Sequence, residues 1–512
     1  MILFIEPISR NIDMYVPAYP LPLLEVASFV KQNLPDEKIR IISIPVDYGL
    51  PLTQGGREII YRELLHDISK MAPRAVGISC TAIAQAEEVI DLCERIKKEA
   101  PEIVIFLGGY FPTIYYEEIF SRTSAVDMIV IGEGEVPALR IIDLLRKGGN
   151  PLDHSIQGLA WQKNGRIFMT QRGPRFDLRQ KALLNLDLLA HPKAYDILPY
   201  AFSRGCPYHC NFCMEAFIRP SRQPVPSDIV LADLNQLSQK SQSHSLLISD
   251  ALFKSFELFP AIQSYNMKVN FETRCDVMDP SSLSRYSEMY GAFALGFESA
   301  SYGTLKRMNK VRDKAHFRHY VDNTIALFRA AVQNDISIMV FMIAGYPGDT
   351  EQDLIETLRF AEKLSRNSGP GGHLFKIGEC RVYPKTQLYT MAKTTPGVVF
   401  DDLGVFGENI VRRPSEHLNF ETVLDYMGKI FNLSNTTPKL QKTLLNMMPF
   451  FRVPAHALRD TIIPDTCFRD KNREVLDVRG ESLWVLRSLL PELITQYKDW
   501  TSKERSAREL KI

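Results

Sequence analysis

Cysteine is scarce in this chain: eight in 512 residues, too few for the disulfide framework that staples small secreted folds. Net charge is almost absent, with 61 Lys and Arg against 60 Asp and Glu, so nothing recommends bulk nucleic-acid or anionic-membrane binding. Long apolar runs are missing too. The longest, residues 336–345, falls well short of the ~20 residues of a membrane span. No internal repeat or low-complexity tract is evident. Residues 1–6 lack the basic flank and length of a leader and read as a buried strand, so the expected location is cytoplasmic. What remains is a 58.4 kDa chain of 45% hydrophobic content, too large for one ordinary core and expected to form two or three domains.

Three of the few cysteines crowd into one stretch, Arg204-Gly205-Cys206-Pro207-Tyr208-His209-Cys210-Asn211-Phe212-Cys213. A cubane iron–sulfur cluster takes four thiolates, so three leave one iron open to a substrate or cofactor. Zinc would need a fourth ligand, and His209 is tethered too tightly beside Cys210 to complete a tetrahedron easily. Uninvolved buried thiols are the other plain alternative. The C-x3-C-x2-C spacing, with an aromatic before the last cysteine, resembles the signature of the radical S-adenosylmethionine (SAM) superfamily. The resemblance implies a 4Fe-4S cluster on Cys206, Cys210 and Cys213 whose open iron chelates SAM. It also implies an external electron donor such as flavodoxin or ferredoxin.

Over residues 1–150, short β-branched runs at 2–5, 39–45, 75–79, 103–107 and 128–131 alternate with helical patterns, the mark of a parallel sheet covered on both faces. Ligands of such sheets sit in the loops at the carboxyl ends of the strands. Those loops carry Ser79-Cys80-Thr81-Ala82, Gly108-Gly109-Tyr110 and Gly132-Glu133-Gly134-Glu135. Adjacent glycines let a backbone approach a bulky ligand closely, although any doubly wound sheet has such loops and this one could hold nothing. The half resembles the Rossmann-like cobalamin-binding domain that precedes many radical SAM domains. That implies cobalamin contacts at Ser79, Thr81, Gly108, Gly109, Tyr110, Gly132, Glu133 and Gly134. The D-x-H-x-x-G motif of the best-known cobalamin domains is absent. Asp47-Tyr48-Gly49 lacks the histidine, and His66 falls within a helical pattern, so a base-off cobalt without a histidine beneath it is expected.

Residues 151–195 read as a linker, with an Asn164-Gly165 hairpin across 158–167 serving as spacer and lid. From Tyr200, six strands alternate with helices to residue 390, fitting the partial (β/α)6 barrel that the resemblance implies. Catalytic groups of such barrels collect at the strands' carboxyl ends. Phe212, Asp250, Glu272, Arg274, Glu298, Ser299, Gly345 and Pro347 stand there and are the expected SAM contacts. Glu298-Ser299 resembles the family's Gly-x-Glu-Ser, and residues 345–350 its Gly-x-Pro-Gly-x-Thr turn. Each also has a plain reading: Ser299 as a helix cap, Asp349 and Thr350 as first-turn residues. Cys275 and Cys380 read as packed thiols.

Residues 391–512 read as a mainly helical third region, with helical periodicity at 419–433, 440–448 and 483–497. Residues 447–451 there are either a channel lining or an ordinary helix contact. Over residues 1–390 the resemblance is to cobalamin-dependent radical SAM enzymes, which implies methylation of an unactivated carbon in a small-molecule or peptide substrate. A cyclase or rearrangement enzyme without net methyl transfer is the alternative, and a non-catalytic cobalamin sensor a more distant one. No basic groove or aromatic ladder points to nucleic acid.

Overall fold

The computed structural model describes residues 1–9, 18–49, 54–152, 155–195, 197–241, 243–367 and 369–440. The expected helices at 440–448 and 483–497, and the 447–451 stretch, lie outside these apart from Leu440.

The front sheet is built from β1 (Ile2–Glu6), β2 (Ile39–Ser43), β3 (Ala75–Ser79), β4 (Val104–Gly108) and β5 (Met128–Val130), paired in parallel in the order β2-β1-β3-β4-β5. Ile2, Leu3, Phe4 and Ile5 are all buried, because helices cover both faces and no side of the strand meets water. The hairpin does not form a free spacer. β6 (Leu159–Lys163) pairs antiparallel with β5, and β7 (Arg166–Met169) with β6, so the hairpin extends the sheet at its edge. The cause is packing: Leu159, Ala160 and Trp161 are buried, and Trp161 stacks on Phe168 at 5.8 Å.

The second sheet starts at β8 (Leu198–Tyr200). The chain then turns, and a short β9 (Ser203–Arg204) pairs antiparallel with β10 (Gln223–Pro224), so the cysteine stretch is a loop pinned at its base. β11 (Ser245–Ile248), β12 (Lys268–Arg274), β13 (Tyr290–Glu298), β14 (Ser337–Ala344) and β15 (His373–Glu379) follow. All six main strands run parallel in the order β15-β14-β13-β12-β11-β8, an open half-barrel.

The pleat sorts its side chains. Phe297 stacks on Phe360 of the helix Glu351–Ser365 at 4.5 Å, and Phe375 on Phe328 of the helix Lys314–Gln333 at 6.3 Å. The alternate positions, Glu272, Gly296, Phe341 and Lys376 among them, therefore face the lumen.

Beyond residue 391 the described part is not purely helical. β16 (Val399–Phe400) pairs with β17 (Val411–Arg413). The helix Phe420–Phe431, with Met427 and Ile430 buried, packs on β15, so this stretch completes the barrel's flank. Among the described residues no helix is long and apolar enough to cross a membrane.

Candidate active site

Cys206, Cys210 and Cys213 share one loop, each half-buried. Gly205 starts it at φ +88°, where a Cβ would stand 2.1 Å from the Ser221 carbonyl oxygen; only glycine fits. The loop's far side is fastened to the barrel. Asn211 donates its backbone N–H to Met308 O (3.0 Å) and its Nδ2 to Arg307 O (2.7 Å), while Asn309 Nδ2 reaches His209 O (2.7 Å). Among the described residues no three His, Cys, Asp or Glu side chains converge on a single-ion site. Three thiols on one pinned loop, with no fourth donor among the described residues, fit a cluster better than a tetrahedral metal.

Arg274 lies against this loop. It donates Nη1 to Cys210 Sγ (3.5 Å), stacks on the Tyr208 ring (3.8 Å), pairs with Asp276 (2.9 Å) and donates Nη2 to Lys310 O (2.8 Å). It is buried, and these contacts tie it to the cysteine loop. Glu298 adopts φ +69° at a bulge in β13. Its Oε1 accepts from Lys310 Nζ, both groups buried, and Lys310 Nζ sits 5.8 Å over the Phe212 ring.

Other expected contacts also make hydrogen bonds or packing contacts within the protein. Asp250 accepts from Phe202 N (2.7 Å), Ser203 N (3.1 Å) and Ser203 Oγ (2.5 Å), and burial lifts its carboxyl to about 6. It shapes the entry to the cysteine loop. Ser299 Oγ meets Thr357 Oγ1 (3.1 Å) and accepts from Ser301 N (3.1 Å), tying β13 to a helix. Gly345, at φ +73°, packs against Pro414 and Val423, and Pro347 lies in the same turn. Asp349 holds that turn through Tyr346 N (2.9 Å), Thr304 Oγ1 and Arg307 Nη2 (both 2.6 Å). Glu272 is half-buried on β12, its carboxyl lifted by burial to about 7.

In the front sheet, Gly109 at φ +109° lets the chain pass Cys80, where a Cβ would meet Cys80 O at 2.5 Å. Gly108 beside it borders open space, with nothing within 4 Å of where a Cβ would stand. A side chain there would have room that a ligand could also use. Ser79 is half-buried, and exposed Thr81 donates its N–H and Oγ1 to Gln85 Oε1 (2.8 and 3.0 Å) at a helix start. Tyr110 donates its hydroxyl to Glu215, two residues past Cys213, with Arg219 over its ring at 4.9 Å. Gly132 N–H donates to Thr113 Oγ1 (3.0 Å), and Gly134 packs on Val26. Glu133 is engaged within the protein. It accepts from Phe176 N (2.7 Å) and lies 3.5 Å from Arg204. Asp47 caps Ser43 N (2.9 Å), and His66 is exposed.

The residues that motif reading passed over are Arg204, Lys310 and Glu215. Arg204, buried one residue before Gly205, reaches Glu25 (2.8 Å) and Glu135 (2.6 Å) as well as Glu133. It joins the cysteine loop to the Gly-Glu-Gly-Glu turn. The one available signal was an arginine beside the motif and two acids in the turn.

The comparisons agree with this layout. The B12 binding domain family matches residues 18–142, and the radical SAM superfamily residues 200–361. An anaerobic magnesium-protoporphyrin IX monomethyl ester cyclase of Synechocystis is 24% identical over 378 residues, 70% of this chain and 71% of that protein. A hopanoid C-3 methylase of Methylococcus capsulatus is 26% identical over 235 residues, 43% of each. Among solved structures, the radical SAM methyltransferase TsrM from Kitasatospora setae superposes with TM-score 0.62 at 14% identity, covering 79% of both chains. The cobalamin-dependent SAM radical enzyme OxsB, with aqua-cobalamin bound, gives 0.65 at 14%, covering 83% of this chain and 65% of that one.

Proposed function

Because this chain belongs to the radical SAM enzymes that carry a B12-binding domain, we propose that it methylates an unactivated carbon of a small molecule or peptide. A 4Fe-4S cluster, SAM and cobalamin are the cofactors the family implies, together with a source of electrons. When bound, they supply a 5′-deoxyadenosyl radical and a transferable methyl group.

Each role falls to residues of this chain. Cys206, Cys210 and Cys213 hold the cluster, and Arg274 keeps a guanidinium at Cys210 Sγ. Glu298 and Lys310 form an opposite-charge pair beside that loop, complementary to an amino acid: Glu298 takes the ammonium of SAM and Lys310 its carboxylate. Phe212 and the Gly345–Pro347 turn border the adenine. Gly108 and Gly109 admit the corrin, with Ser79, Thr81, Tyr110 and Gly132 at its rim. The front loops hold no histidine, so a cobalamin bound there would draw no histidine ligand from them.

One observation carries this reading. The two loop sets are joined directly, through Arg204 to Glu135 and through Tyr110 to Glu215, which supports a chamber shared by both cofactors. Orientation of reactants in a shared site is where such an enzyme gains its rate.

The test is anaerobic reconstitution, chemical reduction, and incubation with methyl-labelled SAM and an extract of the host. The expected product carries the label and is one methyl group heavier. Cobalamin-independent SAM cleavage, or a product of unchanged mass, overturns methyl transfer. A product that gains no labelled methyl and is lighter by two hydrogens favours the second reading, a cyclase, which the long match to a cyclase also supports. Cys210→Ala should abolish 5′-deoxyadenosine formation; a variant that keeps it overturns the cluster assignment.

A further inference from the structure

On the lumen face of the half-barrel, six positions stay partly open: Glu272, Gly296, Phe341, Ile343, Lys376 and Gly378. Strand register places Glu272 level with Ala294, and Ala294 level with Met339 and then Leu374, all fully buried. Those three form a floor, and Glu272 rises from it. Above the floor the wall is apolar at Phe341 and Ile343. At Gly378 nothing lies within 4 Å of where a Cβ would stand, so the chamber has room.

Glu272 accepts no hydrogen bond from any described residue, although the Lys376 ammonium attracts it. Its acidic neighbour Glu298 is paired with Lys310, the pair assigned above to SAM, and Lys376 carries its Nζ over the Phe341 ring at 5.1 Å. A half-buried carboxylate is a standing cost until something donates to it. A site built around such a group discriminates sharply against ligands that leave it unpaired.

We propose that this chamber binds the substrate, and that the substrate is an apolar skeleton bearing a basic nitrogen whose N–H is donated to Glu272. The assignment rests on the radical SAM reading, which makes the lumen the reaction chamber, and it moves Glu272 from SAM to substrate recognition. Burial supports it, since a carboxyl held near 7 ionises readily once a cation arrives.

The test is calorimetry on the anaerobically reconstituted full chain with two probes of the same skeleton, phenylbutylamine and phenylbutanol. The amine should bind about tenfold more tightly than the alcohol, as a charge-assisted hydrogen bond allows. Glu272→Gln should bring the two within about twofold of each other. Lys376→Met, which removes the opposing cation, should widen the amine's advantage and covers the case in which the glutamine variant misfolds. Equal binding by the wild type, an amine preference that survives Glu272→Gln, or one that Lys376→Met leaves unchanged overturns the proposal. The wild-type protein is also assayed for reductive SAM cleavage. Cleavage without amine preference sinks this inference alone, whereas no cleavage sinks the enzyme reading beneath it.

Discussion

Arg204 donates Nη2 to Glu135 at 2.6 Å across the boundary between the two sheets, with Glu25 at 2.8 Å on the same nitrogen. One residue further along the chain the cysteine loop begins. A single guanidinium thus balances carboxylates from the first helix and from the Gly-Glu-Gly-Glu turn while it anchors the loop. Arginine suits this position because its planar fork serves several carboxylates at once, which a lysine ammonium does less well.

Arg204→Met should therefore destabilise the protein by about 3–5 kcal/mol, because it strands buried carboxylates rather than merely deleting a contact. Urea unfolding checks the magnitude. Iron content after reconstitution checks the coupling, and it should fall with the loop's anchorage. A stability change under about 1 kcal/mol would mean that the three acids are already solvated.

Local pattern and long-range pairing differed in how well they could be read. Residues 2–5 and 75–79 announce buried parallel strands because both faces are apolar, and the apolar runs at 292–297 and 338–343 mark barrel strands in the same way. The three cysteines could be read because their chemistry is confined to eight positions. Arg204 could not, since its partners lie 69 and 179 residues away and nothing in sequence ties them. Lys310 was hidden in the same way, in the turn after a short helix. Asp250 and Arg274 stand at strand ends, where cofactor contacts gather, yet both are engaged in holding the cysteine loop. The hairpin was legible as a hairpin, but which edge it would join depends on β5 having an open side.

The two adjacent glycines of the front sheet should respond differently. Gly109→Ala forces a Cβ onto Cys80 O at a positive φ, a cost of about 1–3 kcal/mol, with cobalamin uptake lost alongside stability. At Gly108 an added Cβ meets no protein atom, and Gly108→Val closes a strand with a residue that strands favour. Its stability should stay within about 0.5 kcal/mol of wild type while cobalamin uptake, followed by visible absorption, is lost. If Gly108→Val loads cobalamin normally, the open space beside it is not the corrin's.

Lys310 and Glu298 make a buried pair, so removing one partner should cost about 3–5 kcal/mol. Lys310→Met would show this loss together with weaker SAM binding. The double variant Lys310→Met with Glu298→Gln removes both charges and should regain most of the stability while SAM binding stays weak. Thermal unfolding and calorimetry with SAM separate the two effects. Recovery of SAM affinity in the double variant would show that the pair supports the fold only.

Glu6 ends β1 with its carboxyl held up to about 7, chiefly by burial and further by Asp47, against the opposing hydrogen bond from Ser43 Oγ at 2.5 Å. An unfolded glutamate titrates near 4.5. Between those values the native protein keeps a proton that the unfolded chain has lost, so stability falls as pH rises through this window. The contribution is complete below about 4.5 and gone above about 7, and amounts to roughly 3 kcal/mol. Glu6→Gln cannot ionise. It should match the wild type in urea at pH 4.5 and exceed it at pH 8, which is the reverse of the acid sensitivity expected of a salt-bridged carboxylate. If the two proteins keep the same difference at both pH values, Glu6 is solvated and does not set the front sheet's pH response.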